Sequence, residues 1–163
     1  MSCLLLAALV LTATPDPTKG WVKKSLGSLG KEKFSFEASI KVPAGTKTSA
    51  SATTDGAGKR TGTMAYLDLP DGVRVILMER NANAVTTDAK MLGMMESMIA
   101  MSGKIIVSTR EPTFYLFMAE ATDGIVFQAA NWAVPPGIDC GAMKPVTRAQ
   151  ADQVIAICKT LAK

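Results

Sequence analysis

TFYLFMAEATDGIVFQAANWAV, Thr113 to Val134, is the stretch whose reading decides the fold. Its two halves are apolar, rich in aromatic and β-branched residues, and too short for ordinary helices, so they read as strands. Thr122-Asp123-Gly124 stands between them. Asp bonds its own backbone in turns, and Gly accepts the positive φ that a tight turn demands. Two such runs joined by so short a turn must pair antiparallel. KIIVSTR, closed by Glu111-Pro112, precedes them and reads as a third strand paired with its successor.

The same pattern recurs upstream. TMAYLDL and VRVILMER flank Pro70-Asp71-Gly72, where Pro presets one turn dihedral and Gly takes the other. Phe34, Phe36, Ala38, Ile40 and Val42 alternate with polar residues, the period of a half-buried strand, and Pro43 ends it. Lys47 to Gly62 carries Ser, Thr, Ala and Gly with nothing large to bury, which predicts a mobile loop or a weak edge strand. Ahead of these, Trp21, Leu26 and Leu29 can dock a short helix or an irregular arm, with Gly27 and Gly30 weakening any helix.

Two helices punctuate the strands. The first is expected from about Thr87 to Ser102, stopped by Gly103. The second begins at Thr147, whose hydroxyl caps the helix while Gln150 reaches back, a T-x-x-Q capping box. Ala151, Val154, Ile157, Cys158 and Leu161 then form one apolar face at helical spacing. The expected fold is α+β: an antiparallel β-sheet of about six strands in βββαβββα order, covered by two helices in a layered sandwich. Hairpins on both sides of the first helix disfavour a doubly wound parallel sheet, and no internal repeat is visible.

The chain has 163 residues, 48% of them hydrophobic and 20% charged, which fits one globular domain with a real core. The net charge is +4, but Lys23-Lys24 and Lys59-Arg60 are the only adjacent basic pairs. Few aromatics lie between them, so no nucleic-acid footprint is expected. At the front, MSCLLLAALVLTATPDP holds an apolar run from Leu4 to Leu11 followed by small residues, the layout of a secretory signal peptide. The expected division is 1–13 signal peptide, 14–32 linker or N-terminal arm, and 33–163 a single α+β domain. No Lys or Arg precedes the run, and only Met1 and Ser2 precede Cys3, so no lipobox fits. The run is too short for a membrane-spanning helix, and none is expected in the mature chain. Export places Cys140 and Cys158 in an oxidising compartment as an even pair, where a disulfide is expected; the alternative is two small buried hydrophobes.

FSFEASIKVPAG near the front, VRVILMER before a helix, the TFYLFMAEA to IVFQAANWAV hairpin and a final helix ending AICKTLAK together resemble the PsbP/Mog-like family over about Lys33 to Lys163. The resemblance is one of architecture. Its bacterial members are often small exported proteins or lipoproteins; other relatives bind a small GTPase, assist the photosynthetic oxygen-evolving complex or chaperone secreted effectors. The resemblance implies binding roles and carries no catalytic residue.

Candidate chemistry is sparse. MLGMMESMIAM, Met91 to Met101, places five methionines in eleven residues. On a helix, Met91, Met94, Met95, Met98 and Met101 share one stripe. The expectation is that they fill the core against the sheet, with Leu92 and Ile99 widening the same face. The alternative is Cu(I) ligation by soft thioethers in an exported protein, or a plastic partner-binding face. DGAGKRTG, Asp55 to Gly62, is a poor phosphate loop: Thr53 stands where a glycine is required and Arg60 where Ser or Thr is. The chain has no histidine, which excludes Ser-His and Cys-His catalysis and His-based zinc or iron sites. Three cysteines without CxxC spacing give no zinc site. Carboxylate pairs, Glu111 with Glu120 or Asp139, would support a small hydrolase only if buried together. In ANWAVPPGIDCG, Trp132 with Pro135 and Pro136 makes a rigid corner, either a binding surface or a cap on the core.

These readings predict an exported non-enzymatic binding or accessory domain, periplasmic or extracellular, acting through protein–protein contact and needing no cofactor. The second reading is a periplasmic Cu(I)-handling protein using the methionine stripe.

Overall fold

The computed structural model describes residues 16–80 and 89–163. The proposed signal peptide and the start expected for the first helix at Thr87 lie outside them.

The two turn triplets do what their chemistry requires. Gly72 adopts φ 87° and Gly124 φ 133°, and each closes an antiparallel hairpin. One is β4 (Arg60–Asp68) with β5 (Arg74–Glu79), and the other is β7 (Phe114–Ala121) with β8 (Gly124–Asn131). β6 (Lys104–Glu111) pairs with β7 as expected. The polar stretch after Gly45 is the weak edge strand of the two alternatives: β3 (Lys47–Thr54) pairs along β4, with one register shift near Thr53.

The six-strand expectation is corrected: the described residues form nine strands in two sheets. β9 (Ile138–Ala142) sits between β5 and β8 and joins the two hairpins into one seven-stranded sheet, ordered β3-β4-β5-β9-β8-β7-β6. Its five residues follow two prolines and contain a glycine, so no strand pattern announced it. β1 (Val22–Ser25) pairs antiparallel with β2 (Ser39–Val42) in a separate ribbon. Phe34, Ala38, Ile40 and Val42 are buried as their alternation implied, but only the last four residues of that stretch are strand. Leu26 and Leu29 are fully buried, so the segment read as an arm folds into the core from β1 onward.

Layering follows from the two faces of each strand. Phe114, Leu116 and Met118 of β7 face a large core with Leu67, Val75, Leu77, Phe127 and Ile138, closed by the β1–β2 ribbon and α2 (Arg148–Lys159). Tyr115, Phe117 and Ala119 face the other way, into a smaller core closed by α1 (Ala89–Ala100) through Leu92 and Ile99. The helices therefore cover opposite faces of one sheet. α1 lies over β6, β7 and β8.

α2 begins as its sequence dictates. Thr147 accepts from the Gln150 N–H while the Gln150 side chain accepts from the Thr147 N–H, completing the capping box. Ala151, Val154, Ile157, Cys158 and Leu161 are buried. Cys158 meets Cys140 of β9 at disulfide distance, with Cα atoms 6.1 Å apart. Beside them the buried Asn131 amide donates to the Cys158 carbonyl, a second tie between β8 and the helix.

Candidate functional site

α1 presents three different faces. Leu92, Met95 and Ile99 turn inward and pack against Tyr115, Phe117 and Ala119. Glu96 turns toward the edge strand β6, where it accepts from Arg110 at 2.5 Å. The Ser108 hydroxyl and the Arg110 guanidinium hold the Glu96 carboxyl below the usual carboxylate range. The third face carries Met94, Met98 and Met101, which are 59, 60 and 87% exposed. At 3.6 residues per turn these three fall within an arc of about 60°, on the side of the helix opposite Glu96. Met101 still lies on the helical path, since its N–H donates to the Ser97 carbonyl at 3.1 Å.

This corrects the expectation that the methionine stripe fills the core. Met95 does pack inward, but Met94, Met98 and Met101 do not. The Met91 side chain lies outside the described residues. The error was one of direction: with Leu92, Met95 and Ile99 a third of a turn away, the helix has a full apolar face without the stripe.

With Glu96 facing β6, Met94, Met98 and Met101 lie on the flank of α1 turned away from β6, the side on which the sheet continues through β9, β5 and β4. The same face there carries Met64 and Tyr66 of β4 and Ile76 and Met78 of β5, with Met64 opposite Met78 and Tyr66 opposite Ile76. Met78 is 41% exposed and the other three are half-buried. The α1 side of the domain thus exposes methionine on two elements, Met78 on the sheet and Met94, Met98 and Met101 on the helix.

At the end of β5 the face turns polar. Arg80 is buried, with its guanidinium 5.2 Å from the Trp132 ring and 5.7 Å from the Tyr115 ring. It donates to Asp139 of β9, which also accepts from the Tyr115 hydroxyl at 3.2 Å. Burial raises the Asp139 carboxyl above the ordinary carboxylate range, against the pull of Arg80 and the Tyr115 hydroxyl. Burial likewise raises the Tyr115 phenol, helped by the Asp139 charge. The Arg80 Nε has no hydrogen-bond partner among the described residues. Sequence reasoning missed this cluster. Its one readable signal was period two: Arg80 continues the face of Ile76 and Met78 past the end of the strand.

The predicted binding corner is dispersed. Trp132 packs inward, 6.1 Å from Tyr115 and against the α1-side core. Pro135 instead lines an open cleft of about 1140 Å³ with Lys23, Lys33, Phe34, Phe36 and Lys163, on the far side of the domain from α1. Pro136 lines a separate cleft of about 520 Å³ beside Arg60 and Glu79. The carboxylates weighed for hydrolysis do not come together. Glu111 lies opposite Phe114 and Glu120 opposite Lys104, at the two ends of the β6–β7 hairpin, and Asp139 is engaged by Arg80.

Among the described residues no group of three or more Cys, Asp or Glu side chains is placed to hold a metal, and no helix is long and apolar enough to cross a membrane. Comparison with protein families, with curated proteins and with solved structures finds no match.

Proposed function

We propose that this chain is an exported accessory domain that binds another protein in the cell envelope through the methionine-lined face between α1 and strands β4 and β5. The observation that carries the reading is the joint exposure of Met94, Met98 and Met101 on the helix and Met78 on the sheet. Methionine is flexible and polarisable, and it is over-used where a surface must adapt to a partner. Neighbouring strands lie about 4.8 Å apart, so β4, β5 and β9 together offer about the width of one helix, roughly 10 Å. The partner chemistry this fits is the apolar face of an amphipathic helix, laid beside α1 with its polar side outward.

Export is supported by the apolar run Leu4 to Leu11 with small residues after it, and by a cysteine pair at disulfide distance, which suits an oxidising compartment. The PsbP/Mog-like resemblance, an architectural one, adds a bias toward binding over catalysis.

Site-specific photocrosslinking in the native envelope tests the reading. A crosslinker at Ile76 and one at Met98 trap the same partner, while one at Asp152, on the exposed side of α2, traps none. Adducts spread evenly over the three positions, or none at Ile76 and Met98, contradict it.

A further inference from the structure

The outer edge of β6 is complementary to itself. We propose that two copies of the chain pair antiparallel along β6, on a two-fold axis at Ser108, and join their sheets into one.

β6 ends the seven-stranded sheet, and among the described residues nothing pairs with its outer side. Such an edge presents a row of backbone donors and acceptors to any strand laid beside it. KIIVSTRE, Lys104 to Glu111, begins with a cation and closes with an anion, and both are exposed. In a regular strand two residues at this spacing stand on opposite faces. The register with β7 shows otherwise. It passes from Ile105, opposite Ala119, to Val107, opposite Met118, so Ile106 is an extra residue. Lys104, Val107, Thr109 and Glu111 consequently lie opposite Glu120, Met118, Leu116 and Phe114, all on one face. Counted along β7, Ser108 stands at Phe117, three positions from Lys104 at Glu120 and three from Glu111 at Phe114. A copy turned about Ser108 therefore sets Lys104 against its Glu111 and Glu111 against its Lys104, with Ile105 against Arg110 and Val107 against Thr109 between them. Every opposed pair shares a face, and the outermost pairs carry opposite charges, an arrangement that stabilises a sheet. A bulge disfavours pairing with an arbitrary strand; here it is what brings the two charges to one face. The opposite edge offers no such match: Lys47 is the only charged residue of β3, and Gly30 lies so close to the Ala50 backbone that a Cβ there would clash. The interface uses the same surface on both copies, so it closes at two. α1 lies over β6, β7 and β8, so its own copy stands about three strand spacings away, roughly 14 Å, which exceeds the diameter of a helix. Met94, Met98 and Met101 are turned away from β6, so the pairing leaves the proposed docking face open.

Sedimentation equilibrium of the full chain over a concentration series reads the association, and the parent should reach the mass of a dimer. In Lys104→Glu two acids face each other at both ends of the interface, and in Glu111→Lys two cations do. Each variant alone should therefore raise the dimer dissociation constant at least about tenfold. Mixed one to one, the two variants should pair with each other, because acid then meets lysine at both ends. The double variant Lys104→Glu/Glu111→Lys restores opposite charges and should dimerise as the parent does. The register is read separately. In a Cys3→Ser background, Ser108→Cys should form an interchain disulfide on mild oxidation, because only the residue on the axis faces itself, whereas Ser51→Cys on β3 should not. A parent that stays monomeric, a dimer that survives Glu111→Lys, or single variants that fail to pair on mixing would overturn the proposal. A dimer kept in Glu111→Lys and lost in Ile76→Asp would place self-association on the methionine face instead, so the two readings fail separately.

Discussion

Glu96 of α1 accepts from Arg110 of β6 at 2.5 Å, and this contact marks which way the helix is rolled on the sheet. With Glu96 at the edge strand, Leu92, Met95 and Ile99 point down and Met94, Met98 and Met101 point away from β6. The pair is partly exposed, Arg110 at 42% and Glu96 at 29%, so its own contribution to stability is small. Glu96→Ala should lower the unfolding free energy by less than about 1 kcal/mol, the range of exposed ion pairs. The sign with pH is set by the lowered Glu96 pKa: the contribution is present above the unfolded value and is lost as pH falls through the folded one. Urea unfolding of the variant and parent at pH 7 and in acid checks both statements.

Arg80 and Asp139 form the more consequential pair, because Arg80 is buried and packs against two aromatic rings. Arg80→Met should cost about 3 kcal/mol, since it removes the cation that offsets a desolvated carboxylate. The Asp139 pKa is already raised by burial and rises further without Arg80. A raised folded value means that stability is fully present below the unfolded pKa of about 3.9 and falls as pH climbs toward the folded one. Denaturant melts of Arg80→Met should therefore weaken from pH 4 upward. Adding Asp139→Asn should flatten that slope and recover part of the loss at pH 7. A pH-independent deficit in the single variant would show that Asp139 does not carry the coupling.

The cysteine pair closes a loop between residues 18 apart, joining the central strand β9 to α2. On the chain-entropy account such a loop stabilises by about 3 kcal/mol. Cys140→Ala/Cys158→Ala should lower the unfolding free energy by that order, and reductant should lower the parent to nearly the same level while leaving the variant unchanged. A parent indifferent to reductant would mean that the two cysteines act only as small core residues.

The α2 capping box gives a local and separable prediction. Thr147→Ala removes the acceptor for the Gln150 N–H and should cost about 1 kcal/mol. Thr147→Asn should cost much less, because Asn caps nearly as well. Thermal unfolding of the two variants distinguishes a lost cap from a general sensitivity at this position.

How far the sequence could be read depended on whether the signal was local. Pro70-Asp71-Gly72, Thr122-Asp123-Gly124 and the Thr147–Gln150 box each state their geometry within a few residues, and all three form as their chemistry implies. β9 was hidden because its identity comes from its neighbours: it is a strand by pairing with β5 and β8, and Ile138 and Cys140 are buried by the core that α2 closes. The Arg80–Asp139–Tyr115 cluster was hidden for the same reason, being assembled from β5, β9 and β7. The methionine stripe was recognised as a stripe but assigned the wrong direction. Helical periodicity says which residues share a face; which of two competing faces is buried is decided between elements, by the packing of Leu92, Met95 and Ile99 on Tyr115 and Phe117, and the Glu96–Arg110 contact agrees with it.

The docking face requires Met94, Met98 and Met101 to lie outside the packed core, and peroxide footprinting reads this directly. Thioether oxidation follows solvent access. Brief exposure of the folded chain to dilute hydrogen peroxide, followed by peptide mass spectrometry, should convert Met94, Met98 and Met101 to sulfoxide well before Met95 and the fully buried Met118. If Met94 and Met98 oxidise as slowly as Met118, the helix is rolled the other way, and the docking face falls with it.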